Sequence, residues 1–137
     1  MTARLLMVLS ASILLTIGTM HLAYTLGGTS FVPRDPALQV SMSRISPVLT
    51  TETTMWRCWR GFNVSHSMGL ILFSLVYGYL ALAHEQLLFR SPFLLLVGLV
   101  MLACLIVVCR LYFFRAPLIG VSISFVFYVV SIALSRA

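Results

Sequence analysis

The stretch GFNVSHSMGLILFSLVYGYLALA, residues 61–83, decides the fold. No acid, lysine or arginine interrupts it, and it is long enough for a helix to cross the ~30 Å hydrocarbon core of a bilayer. Its first turns nevertheless hold Asn63, Ser65, His66 and Ser67. Both the number of such runs and the reason for the polar start have to be explained.

Hydropathy marks four spans, at 5–26, 62–83, 93–114 and 118–134. The first three are each about 33 Å long at 1.5 Å per residue, and the fourth lies at the short limit for crossing. Backbone groups cannot go unpaired in lipid, so each run is expected to be a helix. The connections HEQLLFRSP and RAP are short enough to make neighbouring helices antiparallel. The expected fold is therefore all-α: a single transmembrane domain over 1–137, an integral membrane four-helix bundle with a long, partly helical first loop. Arg4 before an apolar run resembles a secretory signal, but the run is longer than a signal core and no A-x-A site follows. A retained helix is expected there.

Composition agrees, with 61% of residues hydrophobic, 9% charged and a mean hydropathy of +1.06. A soluble core could not hide so much apolar surface. The nine basic residues, all arginine, outnumber three acids, but they sit mostly at the ends of apolar runs. That is headgroup placement, and nucleic acid is not an expected partner. Six arginines (34, 44, 57, 60, 110, 115) fall on one face of a four-span topology, against Arg4, Arg90, Arg136 and the amino terminus on the other. Positive-inside counting leans towards a cytoplasmic first loop in a multi-pass inner-membrane protein. Cys58, Cys104 and Cys109 form no metal or disulfide spacing and read as buried structural residues.

Residues 27–61 are too long for a structureless connection. Asp35 before Pro36 is a helix start, and a short interfacial helix over 36–45 should end ahead of Pro47. In LTTETTMWRCWRGFN, Thr50 can cap and Glu52 would fall in the first turn. The second membrane helix is thus expected to run from about 51 to 84, placing Trp56 and Trp59 at the interface. One face of it then carries positions 52, 56, 59, 63, 66, 70, 73 and 77. The first helix has a matching face of small residues, with Ala11, Leu14, Gly18, His21, Thr25 and Gly28. Antiparallel pairing puts His21 and His66 at similar depth, roughly 6 to 8 Å below one surface.

An ionisable residue inside a span is a candidate functional residue by default. The candidate ligand-binding set is His21, His66, Asn63, Ser67, Tyr24, Arg57, Arg60, Glu52, Asp35, Trp56 and Trp59. No catalytic residue is named. A quinone, a lipid headgroup or an anionic metabolite would suit arginine charge, imidazole hydrogen bonds and indole walls. A metal at His21 and His66, with Asp35 or Glu52 adding oxygen, is a second reading, and bis-histidine haem is a third. Met20 and Met68 each lie near a histidine, which admits copper, although core filling is the plainer role. The competing account is a non-catalytic accessory or assembly subunit of a membrane complex, or a homo-oligomer. In it, the same polar groups only hold helices in register. Gly120 and Ser124 form a small-xxx-small pair for close packing, and Asn63-Val64-Ser65 matches a glycosylation sequon at a helix start, with no expected role.

The segments HLAYTLGGTSFVPRDPAL and PVLTTETTMWRCWRGFNVSHSMG, followed by YGYLAL, resemble a family of small bacterial membrane proteins of unassigned activity. The shared pattern is H-L-x-Y-T, P-R-D and E-T-T-M-W…G-F-N-x-S-H-S-x-G with four hydrophobic segments. It matches here at His21, Tyr24, Thr25, Pro33, Arg34, Asp35, Glu52, Trp56, Gly61, Phe62, Asn63, Ser65, His66 and Ser67. The resemblance implies an architecture and no particular chemistry.

Overall fold

A computed structural model describes residues 1–136, and within them every regular element is a helix, with no strand. Six helices follow in order: α1 (Thr2–Gly27), α2 (Pro36–Arg44), α3 (Met55–Ala83), α4 (Glu85–Arg90), α5 (Pro92–Tyr112) and α6 (Arg115–Arg136). α1, α3, α5 and α6 are long and apolar enough to cross a membrane. The all-α four-span architecture expected from hydropathy is therefore the observed one.

The boundaries follow from capping chemistry. Asp35 accepts a hydrogen bond from the Ala37 N–H at 2.9 Å and Pro36 opens α2, as the dipeptide dictates. Ser91 accepts from Leu94 N–H and Pro92 opens α5 in the same way. α6 is longer than the span 118–134, because hydropathy stops at Pro117 while a proline in the first helical turn leaves the ladder intact. At 22 residues it is no shorter than α5, with 21.

Two expectations are corrected. α3 begins at Met55, not near Thr51, and residues 51–53 are bends. Thr50 Oγ1 accepts from Glu52 N–H at 3.2 Å, a local turn, and Thr54 Oγ1 sits over the first turn, 3.4 Å from Arg57 N. The Met55 N–H goes to the Ile45 carbonyl at 2.8 Å, so a loop contact takes the donor that a longer helix would have used. The connection HEQLLFRSP contains α4, which a window set for long apolar runs passes over. Its six residues are held by Leu88, which is fully buried.

The chain divides into two compact units, residues 1–17 with 70–137, and residues 18–69. In the first, Met7, Leu14, Leu70, Tyr77, Leu88, Leu95, Leu102, Val121 and Tyr128 make the core. Five of its buried side chains make polar contacts between helices. Ser10 and Ser124 each donate to the other's carbonyl, at 2.8 and 2.9 Å. Ser131 donates to Ala3 O at 2.7 Å. The Tyr77 and Tyr128 hydroxyls donate to Leu94 O and Leu95 O on α5, at 2.6 and 3.0 Å. Small residues bring the backbones close enough for such bonds. The Gly120/Ser124 pair packs within the chain in this way, with Gly120 against Ile17 and Ser124 against Ser10.

Only 22–28% of each apolar window is buried, so the rest of each helix turns Leu, Val, Ile and Phe outward, where lipid must cover them. Of the cysteines, only Cys109 is buried; Cys58 and Cys104 are exposed, which corrects the expectation of three core thiols. Met20 and Met68 are exposed as well, so neither fills the core.

Gly98 is the tightest point of this unit. A methyl group on it would run into the Tyr128 hydroxyl and into the ring of Tyr77 at 2.8 Å. Gly98→Ala should therefore cost about 1–3 kcal/mol by overpacking. Thermal denaturation in detergent or nanodiscs checks this, and an unchanged midpoint would show that the tyrosines do not define the slot.

Candidate functional site

Residues 18–69 form the second compact unit, which contains the loop-side end of α1, the first loop with α2, and the first half of α3. The sequence brings a histidine to each long helix of this unit. His21 lies on the α1 face with Gly18 and Thr25, both buried. His66 is half-buried on α3, beside Asn63 and Ser67, which are buried at 5% and 0% exposure. The two imidazoles meet edge to face, with ring centroids 5.4 Å apart at 77°. The histidine pair read from helix spacing is a real contact.

Asn63 organises the pair. Its Nδ2 donates to the Trp59 carbonyl at 2.8 Å, one turn back on α3, which turns Oδ1 towards His21. His21 Nε2 lies 3.1 Å from that oxygen and is the donor, because the oxygen can only accept. In neutral His21 the lone pair is then on Nδ1. Ser67 donates back to Asn63 O at 2.9 Å, and Thr25 to His21 O at 2.8 Å, so neither hydroxyl is left unpaired against the helix.

Aromatic rings close around the imidazoles. Phe31, from the loop, lies 4.5 Å from the His21 ring, and Phe62 stacks on His66 at 6.3 Å and 10°. The Trp59 indole N–H donates to the Phe31 carbonyl at 3.1 Å and ties the loop to α3 beside the cluster. Neither Phe31 nor Phe62 belongs to the candidate ligand-binding set read from sequence, although Phe62 is one of the motif positions. Phe62 could have been, since it stands four residues before His66 on one helix face. Phe31 gives no local signal, because its position depends on the path of the loop.

The remaining candidates fall outside this contact set. Asp35 is committed to the N-cap of α2, and Glu52 lies exposed in the turn before α3. Tyr24, Arg57 and Arg60 are exposed, and Trp56 is half-buried on the first turn of α3. The proposed third metal ligand from Asp35 or Glu52 is thus not delivered. Among the described residues, no three His, Cys, Asp or Glu side chains converge. Bis-histidine haem does not fit either. The rings touch each other directly and Nε2 of His21 is directed at Asn63, leaving no layer for a macrocycle between them.

Two substitutions test the arrangement. Asn63→Ala removes the acceptor from His21 and should cost about 1 kcal/mol of bundle stability, the scale of interhelical hydrogen bonds in membranes. Trp59→Phe should raise amide exchange at residues 28–33 by about fivefold, one lost hydrogen bond, while α3 beyond Phe62 keeps its protection. Denaturation midpoints and hydrogen-exchange mass spectrometry read these effects. An unchanged loop in Trp59→Phe would mean that the indole bond does not hold it.

Set beside known proteins, the chain matches no family model, no curated protein and no solved structure, so the chemistry of the cluster rests on its own geometry.

Proposed function

We propose that the protein is a bacterial inner-membrane protein that binds a small amphiphile of the quinone type at the His21–His66 cluster, without catalysing a reaction on it. The observation that carries this reading is the pair of half-buried imidazoles in ring contact, walled by Phe31 and Phe62, at the loop end of two apolar helices. A flat carbonyl-bearing ring can stack on phenyl groups and turn its carbonyl to the polar edge of the imidazole pair. Of the three ligand classes, an anionic metabolite is favoured less. It would need converging arginines, and Arg57 and Arg60 are exposed at the start of α3 rather than joined to the cluster. Those arginines suit lipid headgroups instead. The same six-to-three distribution of arginine supports a cytoplasmic first loop.

A second reading has its own observation. Every buried side-chain nitrogen and oxygen among the described residues has a hydrogen-bond partner. A fully satisfied network is also what a structural clamp requires, as in an accessory or assembly subunit that docks on a membrane complex or on a second copy.

One titration separates the two. Trp56 and Trp59 are the chain's two tryptophans, so quenching of their emission by a short-chain quinone in nanodiscs reports occupancy near the cluster. Saturable quenching that weakens tenfold or more in His66→Ala, a loss of about 1.4 kcal/mol, at an unchanged melting temperature supports the ligand site. Equal quenching in both proteins would sink it, and a lower melting temperature with no saturable binding supports the clamp.

A further inference from the structure

We propose that residues 36–49 of the first loop form an in-plane anchor that inserts into the lipid leaflet at the interface where α3 starts. α2 buries none of its residues. Leu38, Met42 and Ile45 nevertheless follow at the i, i+4, i+7 spacing of one helix face, and Leu38 and Ile45 are more than half or about half exposed. The helix leads into a turn closed by Thr50 N–H on the Pro47 carbonyl at 3.3 Å. Its two central residues are Val48 and Leu49, exposed at 109% and 94%. Two bare aliphatic side chains at a loop tip, continuing an apolar stripe, make a surface that water does not suit.

The height of this surface is set by a backbone bond. Ile45 O accepts the Met55 N–H at 2.8 Å, holding the end of the stripe level with the first residue of α3. The next turn of α3 carries Trp56, Arg57, Trp59 and Arg60, the residue types that populate the boundary between headgroups and acyl chains. Ile45 therefore stands at that boundary, with Val48 and Leu49 only a few residues from it. Charge agrees with a lipid occupant. Arg34 precedes α2 and Arg44 is its last residue, and residues 28–60 hold four arginines against Asp35 and Glu52. An amphipathic helix with basic flanks and an aliphatic tip at the interface binds a leaflet containing anionic lipid.

The test measures depth. Spin labels are placed at Leu49→Cys, Leu38→Cys and, on the opposite side of α2, Ser43→Cys, after Cys58, Cys104 and Cys109 are changed to serine. Power saturation in phosphatidylcholine vesicles containing phosphatidylglycerol compares collisions with oxygen and with a water-soluble nickel chelate. An oxygen-to-nickel ratio several-fold higher at positions 49 and 38 than at 43, falling when Arg34 and Arg44 become glutamine, is the expected result. Nickel access equal to that at position 43 overturns the proposal in favour of water. Low access to both reagents overturns it in favour of a covering protein, a partner or a second copy. The unaltered chain gives an independent reading through a lipid-phase photolabel mapped by mass spectrometry. Labelling at 45–49 is expected, and its absence where α5 is labelled would overturn the anchor.

Discussion

In a bilayer, apolar side chains gain little by leaving lipid for one another, so helices that are oily all round need something else to choose their neighbours. Here the choice is made by short polar contacts between backbones brought close by small residues. Ser10 and Ser124 exchange hydrogen bonds, Ser131 reaches Ala3, and two tyrosine hydroxyls sit on consecutive carbonyls of α5 over the bare Cα of Gly98. Each such bond fixes rotation as well as distance, because the donor must face one particular carbonyl. The outward faces, free of that demand, are left to Leu, Val and Phe.

The same rule governs residues 18–69 with different side chains. Asn63 donates its amide N–H to Trp59 O and turns its oxygen to His21, so one side chain fixes its own rotamer and the imidazole tautomer. The loop adds Phe31 from one side, held there by the Trp59 indole. An imidazole fixed in this manner differs from one free to rotate in water. Its donor is committed, and whatever meets the cluster meets an aromatic surface with a predetermined polarity.

Local chemistry made much of this legible. The Asp35-Pro36 cap and the four spans depend on neighbours in sequence, and they appear where the residues demand. The contact of His21 with His66 followed from helix periodicity, because a step of three or of four residues from Asn63 leaves position 66 near the same face. Periodicity alone could not choose between those patterns. The face expected through 63, 66, 70, 73 and 77 is buried instead through Asn63, Ser67, Leu70, Ser74, Tyr77 and Ala81, with His66 and Phe73 at its flank. Serine wins over histidine and phenylalanine for the innermost positions because it is small and can return its hydroxyl to the carbonyl one turn earlier, as Ser67 and Ser74 do. What stayed illegible was non-local. The start of α3 depends on Ile45 O, α4 on the burial of Leu88, and Phe31 on the course of the loop. Glu52 and Asp35 were attractive as acids, and both are exposed on the loop.

The serine contacts also impose an order on synthesis. Ser10 and Ser124 are separated by 114 residues, and Ser131 and Ala3 by 128, so α1 cannot be locked by them until the last helix has left the ribosome. The His21–Asn63 and Trp59–Phe31 bonds span 42 and 28 residues and can close long before that. The first helix is thus committed at its loop end early and at its amino-terminal end late. During that interval, Ser10 and Ala3 wait in the bilayer for partners that have not yet been made.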